Sequence, residues 1–374
     1  MKKIVFLTGT RADFGKIKAL IQKIEDHNDF EAFIFVTGMH LLHQYGYTLI
    51  EVERCGYKNL KTFENHTDEA TMDLTLAKTI NGFSEYIKTI NPDLIVVHGD
   101  RVEALAGAIV GSLNNILVAH IEGGELSGTI DELIRHSVSK LSHIHYTSND
   151  EAKQRLMQMG ELEQSIYTIG SPDVDIMFSN NLPHIDEVKH YYEIPFESYA
   201  LAMYHPVTTS SLASISNDAK QLVEGLIESK RNYAIIYPNN DLGSQQIIEA
   251  FTELESHPRF KIFPSIRFEY FLTLLKKSEF IIGNSSAGVR EAPYYGIPTI
   301  NIGNRQMNRA SNSRIINISA KKEEILNAIA ATKNLSLTQS KTFGMGNSAQ
   351  LFIESLEAEN LWNIDHQKQF KDAN

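Results

Sequence analysis

Three short apolar runs, Leu94–Val97, Ile116–Ala119 and His143–Tyr146, follow one another in a single stretch, separated by two segments with helical spacing. Such alternation is the mark of parallel strands joined by crossover helices, and it leaves few other architectures open. The first run breaks into His98-Gly99-Asp100-Arg101 and the second into His120-Ile121-Glu122-Gly123-Gly124-Glu125. In an open α/β sheet, ligands bind beyond the carboxyl ends of the strands. Two carboxylates, Asp100 and Glu122, and two histidines, His98 and His120, are therefore expected at one rim. A third carboxylate, Asp131, belongs to the start of the next helix.

The alternation extends over the whole chain. Strands are predicted at Lys3–Leu7, Ala32–Val36 and Ile166–Ile169. A second round has them at Tyr199–Tyr204, Tyr233–Tyr237, Phe260–Phe263, Phe280–Ile282, Thr299–Ile302 and Ile315–Ile318. Helical spacing marks Lys16–His27, Thr48–Glu53, Glu69–Ile90 and Glu151–Met159. In the second round it marks Ser216–Ser229, Ser244–Glu255, Phe268–Lys276, Ala287–Tyr295 and Lys321–Ala331. With 374 residues, the chain is too long for one comfortable core. The expectation is an α/β protein of two Rossmann-like domains with a cleft between them, spanning 1–170 and 171–350. A C-terminal helix and tail, 351–374, is expected to pack back on the first. Gly170-Ser171-Pro172 reads as the start of the crossing, Asn180–Pro195 as polar and irregular, and Lys333–Ser348 as a loop.

Composition narrows the function classes. A formal net charge of −11 disfavours a nucleic-acid binder, which more often carries a basic stripe, yet permits a local cationic pocket for phosphates. The single cysteine, Cys55, rules out an internal disulfide framework and a zinc site built from cysteines, and the cytoplasm is the expected compartment. The N-terminal apolar run, Ile4–Leu7, is shorter than a signal core. No window approaches about 18 uninterrupted apolar residues, so no membrane span is expected.

Several local patterns admit both a chemical and a structural reading. Thr129-Ile130-Asp131-Glu132 fits a capping box at a helix start. Asp131 and Arg135, four apart on that helix, are a solvated ion pair on one reading and part of the acid–base rim on the other. Gly123-Gly124 and Gly128 form an ordinary turn, or a backbone kept slim for a ligand. His143 and His145 share a strand face and lack a third nearby ligand, so satisfied histidines are expected there rather than a metal pair. His205 opens the second domain's rim. Ser285 and Ser286, in a strand–turn–helix segment, present N–H groups and hydroxyls suited to an anion, although a plain serine N-cap explains them as well. Glu291 has the reach to accept two ribose hydroxyls. Arg11, after the first strand, is the other candidate for phosphate oxygens. Asn239, after the strand Tyr233–Tyr237, begins a turn at an equivalent exit.

Taken in order, TGTRADFGK, HGDR, HIEGGE with downstream IDELIRH, HPVTT, PNND-GS and GNSSAGVRE…GIPTINIGNRQ resemble the UDP-N-acetylglucosamine 2-epimerase family, and most nearly its hydrolysing, sialic-acid branch. The motifs run from Thr8 to Gln306. The resemblance implies a fold of the glycosyltransferase-B type and a UDP-sugar substrate. It also implies no cofactor or metal and a homodimer or homotetramer. It implies acid–base roles for Asp100, Glu122 and Asp131, with His98 and His120 nearby. Ser285, Ser286 and Glu291 would take diphosphate and ribose, supported by Arg11, Arg101, Arg135 and Arg305, with His205 and Asn239 lining the nucleotide. Non-hydrolysing relatives commonly carry a Glu after HPVTT, where this chain has Ser210. The implied reaction eliminates UDP to 2-acetamidoglucal and then hydrates it to N-acetylmannosamine. Mutual repulsion among the three carboxylates is expected to keep one of them protonated. The alternatives are hydrolytic epimerisation of a 2,4-diacetamido-6-deoxy UDP-sugar on the legionaminic-acid route, a glycosyltransferase of the same fold, a non-hydrolysing epimerase and a non-catalytic nucleotide-sugar sensor.

Overall fold

A computed structural model describes residues 1–66, 71–127, 130–306, 315–335, 339–369 and 371. The chain divides into two compact units. The first comprises 1–125, 131–179 and 342–374, and the second 126–130 and 180–341.

The first unit holds seven parallel strands: β1 (Lys2–Thr8), β2 (Phe30–Val36), β3 (Leu60–Thr62), β4 (Leu94–His98), β5 (Leu117–Ile121), β6 (Ile144–Thr147) and β7 (Ile166–Thr168). They lie in the order β3-β2-β1-β4-β5-β6-β7. β4 and β5 are buried along their full lengths, as strands covered by helices on both faces must be. Ile17, Leu20 and Ile24 of the helix Arg11–Glu25 recur at helical spacing and press one face of this sheet. Phe352 and Leu356, from the C-terminal helix Ser348–Glu357, join the same core. Phe352 meets Phe6 and Tyr146 with ring centroids 6.4 and 5.0 Å away. Full burial of such a side chain stabilises by about 1.5–3 kcal/mol.

The second unit has β8 (Ala200–Met203), β9 (Tyr233–Ile236), β10 (Phe260–Phe263), β11 (Ile281–Gly283), β12 (Thr299–Ile302) and β13 (Ile315–Ile318). These are also parallel, in the order β10-β9-β8-β11-β12-β13. Its core gathers Ala202, Ile235, Ile282 and Ile300 from the strands with Leu222, Val223, Phe251 and Ile325 from the covering helices. Both sheets are doubly wound, and in each the strand order reverses at one point: between β1 and β4 in the first, between β8 and β11 in the second.

Four local expectations change. The chain forms β3, a short edge strand whose polar residues hide it from any apolar count. The stretch 180–195 contains a helix, Ile185–Tyr191, which docks through buried Val188. Gly170-Ser171-Pro172 opens a helix, Pro172–Met177, that packs on the helix Arg11–Glu25 inside the first unit. That packing carries the first unit to Ser179, beyond residue 170. The helix expected over Ala287–Tyr295 is broken into a 3₁₀ turn, Ser286–Gly288, and a short helix, Glu291–Tyr295. Pro293 explains the break. It has no N–H for the Val289 carbonyl, so it fits only in the first turn of a new helix.

Candidate active site

The reversal between β1 and β4 opens a crevice at the carboxyl ends of the first sheet. Glu122, the first residue past β5, is its most constrained member. Its φ of 65° lies in the left-handed region, which costs a glutamate about 1–3 kcal/mol. The backbone is held there from both sides. Its N–H donates to the Tyr146 carbonyl at 2.8 Å, and its carbonyl accepts from Arg135 at 2.6 Å. The side chain is almost fully buried. Its Oε1 accepts from the Ser171 hydroxyl and lies 3.7 Å from Lys16 Nζ. Its Oε2 lies 3.2 Å from His98 Nε2, a close electrostatic contact without hydrogen-bond alignment. Lys16 is also 3.4 Å from Asp173 Oδ2.

Arg135 is fully buried rather than part of a solvated pair on the helix Ile130–Leu141. One arm reaches the Glu122 carbonyl and the other donates to Asp100, so it ties together the loops that leave β4 and β5. Asp131 stands one turn earlier on that helix and is half-buried. Asp100 and Glu122 are thus gathered around one guanidinium, and the Lys16 ammonium lies 3.7 Å from the Glu122 carboxylate. Thr129, expected as the helix cap, and Gly128 lie outside the described residues.

His120 is engaged wholly within the protein. Nε2 meets the Gly99 carbonyl at 2.8 Å, and because a carbonyl only accepts, Nε2 carries the proton. Nδ1 then accepts from the Ser139 hydroxyl at 3.0 Å. Burial pushes its pKa down to about 3, so it is neutral and fixes the Gly99–Asp100 loop. His143 is likewise satisfied, by the Val118 N–H and the His366 carbonyl, whereas His145 meets Glu161 through Nε2 and its buried Nδ1 has no hydrogen-bond partner among the described residues. Among the described residues no group of three or more His, Cys, Asp or Glu side chains is arranged for a metal ion.

The loops after β1 and β2 complete this rim. Thr10 caps the helix Arg11–Glu25 in a reciprocal box with Asp13, leaving half-buried Arg11 as its first residue. Arg101 donates to buried Glu103 at 3.3 Å. A Cβ on Gly9 or on Gly38 would come within 2.7 Å of the Glu103 carboxyl group, so both loops stay slim above it.

In the second unit the reversal between β8 and β11 is bridged by one amide. Asn284 accepts from the His205 N–H at 2.7 Å and donates to the His205 carbonyl at 2.8 Å. The Asn239 N–H donates to His205 Nδ1 at 3.0 Å, which places the imidazole proton on Nε2. Arg305 and Gln306 both donate to the Asn284 carbonyl, at 3.3 and 3.0 Å. Ser285 and Ser286 are half-buried in the turn beyond Asn284, where Ser285 Oγ accepts from the Ala287 N–H. Arg290 and Glu291 follow, both buried.

Sequence reasoning missed Lys16, Ser171 and Asp173 around Glu122, and Asn284, Arg290 and Gln306 in the second unit. For Lys16 a signal existed: it stands four and eight residues before Leu20 and Ile24, on the buried stripe of its helix.

The family model for UDP-N-acetylglucosamine 2-epimerase matches residues 22–357. A Neisseria meningitidis protein named UDP-N-acetylglucosamine 2-epimerase is 47% identical, with all of both chains covered. The Escherichia coli polysialic acid biosynthesis protein P7 is 32% identical over 91% of this chain and 90% of its own. The crystal structure of a Methanocaldococcus jannaschii UDP-GlcNAc 2-epimerase, in complex with UDP-GlcNAc and UDP, superposes with a TM-score of 0.82 at 24% identity. It covers 96% of this chain and 99% of that one.

Proposed function

The chain belongs to the UDP-N-acetylglucosamine 2-epimerase family, and from that premise we propose that it is a hydrolysing member converting UDP-N-acetylglucosamine to N-acetylmannosamine and UDP, the opening step of sialic-acid synthesis. The observation that carries this reading is Glu122: a buried carboxylate held in left-handed backbone at the carboxyl end of β5, with one oxygen anchored and the other beside an imidazole.

The C2 proton of the sugar is barely acidic, so departure of UDP from C1 leads and builds oxocarbenium character on the ring. Glu122 Oε2 then takes the proton from C2, the C1–O bond to UDP breaks with its electron pair leaving on the phosphate, and 2-acetamidoglucal forms. Water adds hydroxide to C1, and a proton returns to C2 on the opposite face from Asp100 or Asp131. Arg135 and His120 hold the loops that carry these groups. Ser285 and Ser286 bind the diphosphate and Glu291 takes the ribose hydroxyls. His205 and Asn239 line the nucleotide, and Arg11, Arg101 and Arg305 stabilise the developing charge. Ser210, where non-hydrolysing relatives commonly carry a Glu, supports the hydrolysing assignment. No described helix is long and apolar enough to cross a membrane; we assign the enzyme to the cytoplasm as a homodimer or homotetramer, to be read by light scattering.

Turnover of UDP-N-acetylglucosamine in deuterated water tests the reading. Free N-acetylmannosamine bearing deuterium at C2, together with free UDP, is expected by NMR. Release of UDP only when a sugar acceptor is added identifies a transferase instead. Preference for a 2,4-diacetamido-6-deoxy UDP-sugar in a parallel incubation reassigns the substrate.

A further inference from the structure

Glu122 is one member of a buried chain of charge. Its Oε1 takes the Ser171 hydroxyl and the Lys16 ammonium, and Lys16 is anchored on its far side by Asp173. The Lys16, Glu122 and Asp173 side chains are each at least nine-tenths buried. These groups come from three places far apart in the chain: the helix Arg11–Glu25, the β5 exit and the start of the helix Pro172–Met177. Burying a lysine is costly unless its charge is needed. The two carboxylate oxygens are consequently unlike. Oε1 accepts the Ser171 hydroxyl and lies 3.7 Å from the Lys16 ammonium, whereas Oε2 has the His98 imidazole 3.2 Å away.

We propose that Lys16 is a positioning residue for the epimerisation, which holds Glu122 as a carboxylate by its Oε1 and leaves Oε2 as the oxygen that exchanges the proton with the sugar. Asp173 opposes it, drawing the ammonium away and limiting how strongly the carboxylate is stabilised. His98, beside Oε2, is the site to which that oxygen can pass its proton between half-reactions. Charged and titratable groups around Glu122 include Lys16 from the first helix, His98 from the β4 exit and, on the far side of Lys16, Asp173 from the helix Pro172–Met177. Arg135, from the helix Ile130–Leu141, binds the Glu122 main-chain carbonyl. The inference rests on the function proposed above.

The two substitutions around Lys16 carry opposite signs. A base must be unprotonated, so the acid limb of kcat/KM reports its pKa in the free enzyme. Lys16→Met removes the stabilising cation, and the limb is expected to move up by about one pH unit or more. Lys16→Arg restores it toward the parent position. Asp173→Asn removes the opposing anion, and the limb is expected to move down. A merely structural role for Lys16 lowers activity at all pH values and leaves the limb where it was. UDP binding, measured by calorimetry, is expected to change less than about twofold in all three variants. An unmoved limb in folded Lys16→Met, or an upward or null shift in Asp173→Asn, overturns the proposal. If Lys16→Met does not fold, Asp173→Asn decides alone. Parent enzyme that makes no N-acetylmannosamine fails the functional reading instead, and is recognised before any variant is compared.

Discussion

Where the first sheet reverses between β1 and β4, the chain places Lys16, His98, Asp100, Glu122, Arg135 and Asp173 in one connected set of ionic and hydrogen-bonded contacts. Where the second sheet reverses between β8 and β11, the bridge is an amide: Asn284 on both backbone groups of His205, with Asn239 and Gln306 adding neutral donors and Arg305 a cationic one. The plan of the sheet is the same and the furnishing differs. Groups that exchange protons must titrate, and their titration is set by charges close by. Groups that hold a nucleotide through acid–base turnover do better with donors that never change charge. From this comparison we propose a division of labour, with chemistry in the first unit and grip in the second.

The sharpest way to break that division is Glu122→Gln. The change keeps shape and removes the base, so kcat is expected to fall by about a thousandfold while UDP affinity stays within about twofold. Equal losses in turnover and UDP affinity, from steady-state kinetics and calorimetry, reject it. A second pair of substitutions compares the two strand exits themselves. Gly283, ending β11, has φ 134°, and a Cβ there would lie 1.9 Å from the Met203 carbonyl oxygen. Gly99, at the matching exit of β4, has φ +75° and no heavy atom within 4 Å of an added Cβ. Gly283→Ala is expected to cost about 3 kcal/mol or more, and Gly99→Ala only about 1 kcal/mol for the left-handed backbone. Denaturant melts of the two variants test the ordering, and equal costs overturn it. Next in size is Asn284→Ala. It leaves the half-buried His205 N–H and carbonyl without Asn284, at about 1–3 kcal/mol. UDP affinity is expected to weaken by about tenfold or more, with kcat at saturation changing less. A kcat loss as deep as that of Glu122→Gln shows that the two reversals share the chemistry after all.

Much of this was legible before any coordinate. Parallel strands buried on both faces appear as apolar runs, so Leu94–Val97 and its neighbours announced the sheet, and the polar residues following each run announced the rim. Asp100, Glu122 and His98 were found in that way, because a strand exit is a position that sequence can count to. Lys16, Ser171 and Asp173 were not, since they reach Glu122 from distant helices and nothing local reveals a tertiary ion pair. For Arg135 the spacing from Asp131 leaves a solvated pair and a place on the rim both open, and burial decides for the rim, with a carbonyl and a carboxylate on other elements as partners. Helical spacing predicts one helix over Ala287–Tyr295 because it is blind to the single N–H that Pro293 lacks.

A last contrast separates the units by acid. Among the described residues, the buried histidines, His40, His98, His120, His143 and His145, all lie in the first unit. Burial lowers the pKa of His40 to about 4 and of His120 to about 3, against 6.5 for an ordinary histidine. As pH falls below 6.5 the unfolded chain takes up protons that the native unit refuses. Stability present above pH 6.5 is therefore lost as pH drops toward those folded values, by about 1.4 kcal/mol per pH unit for each of these two histidines. Glu161 adds to the loss lower down. Burial alone would raise its pKa, but His145, Lys368 and Lys140 outweigh that and hold it at about 2, so its contribution persists above 4.5 and fades from there toward 2. Hydrogen exchange at pH 7 and pH 5, corrected for intrinsic rates, should show protection of β4 and β5 amides falling by about 2–4 kcal/mol. Protection of β8 and β11, in a unit without a buried histidine, should change by less than about 1 kcal/mol. A parallel decline in both sheets would mean that the charged network and the amide bridge are not separately tuned, and would leave the contrast between the two reversals one of composition alone.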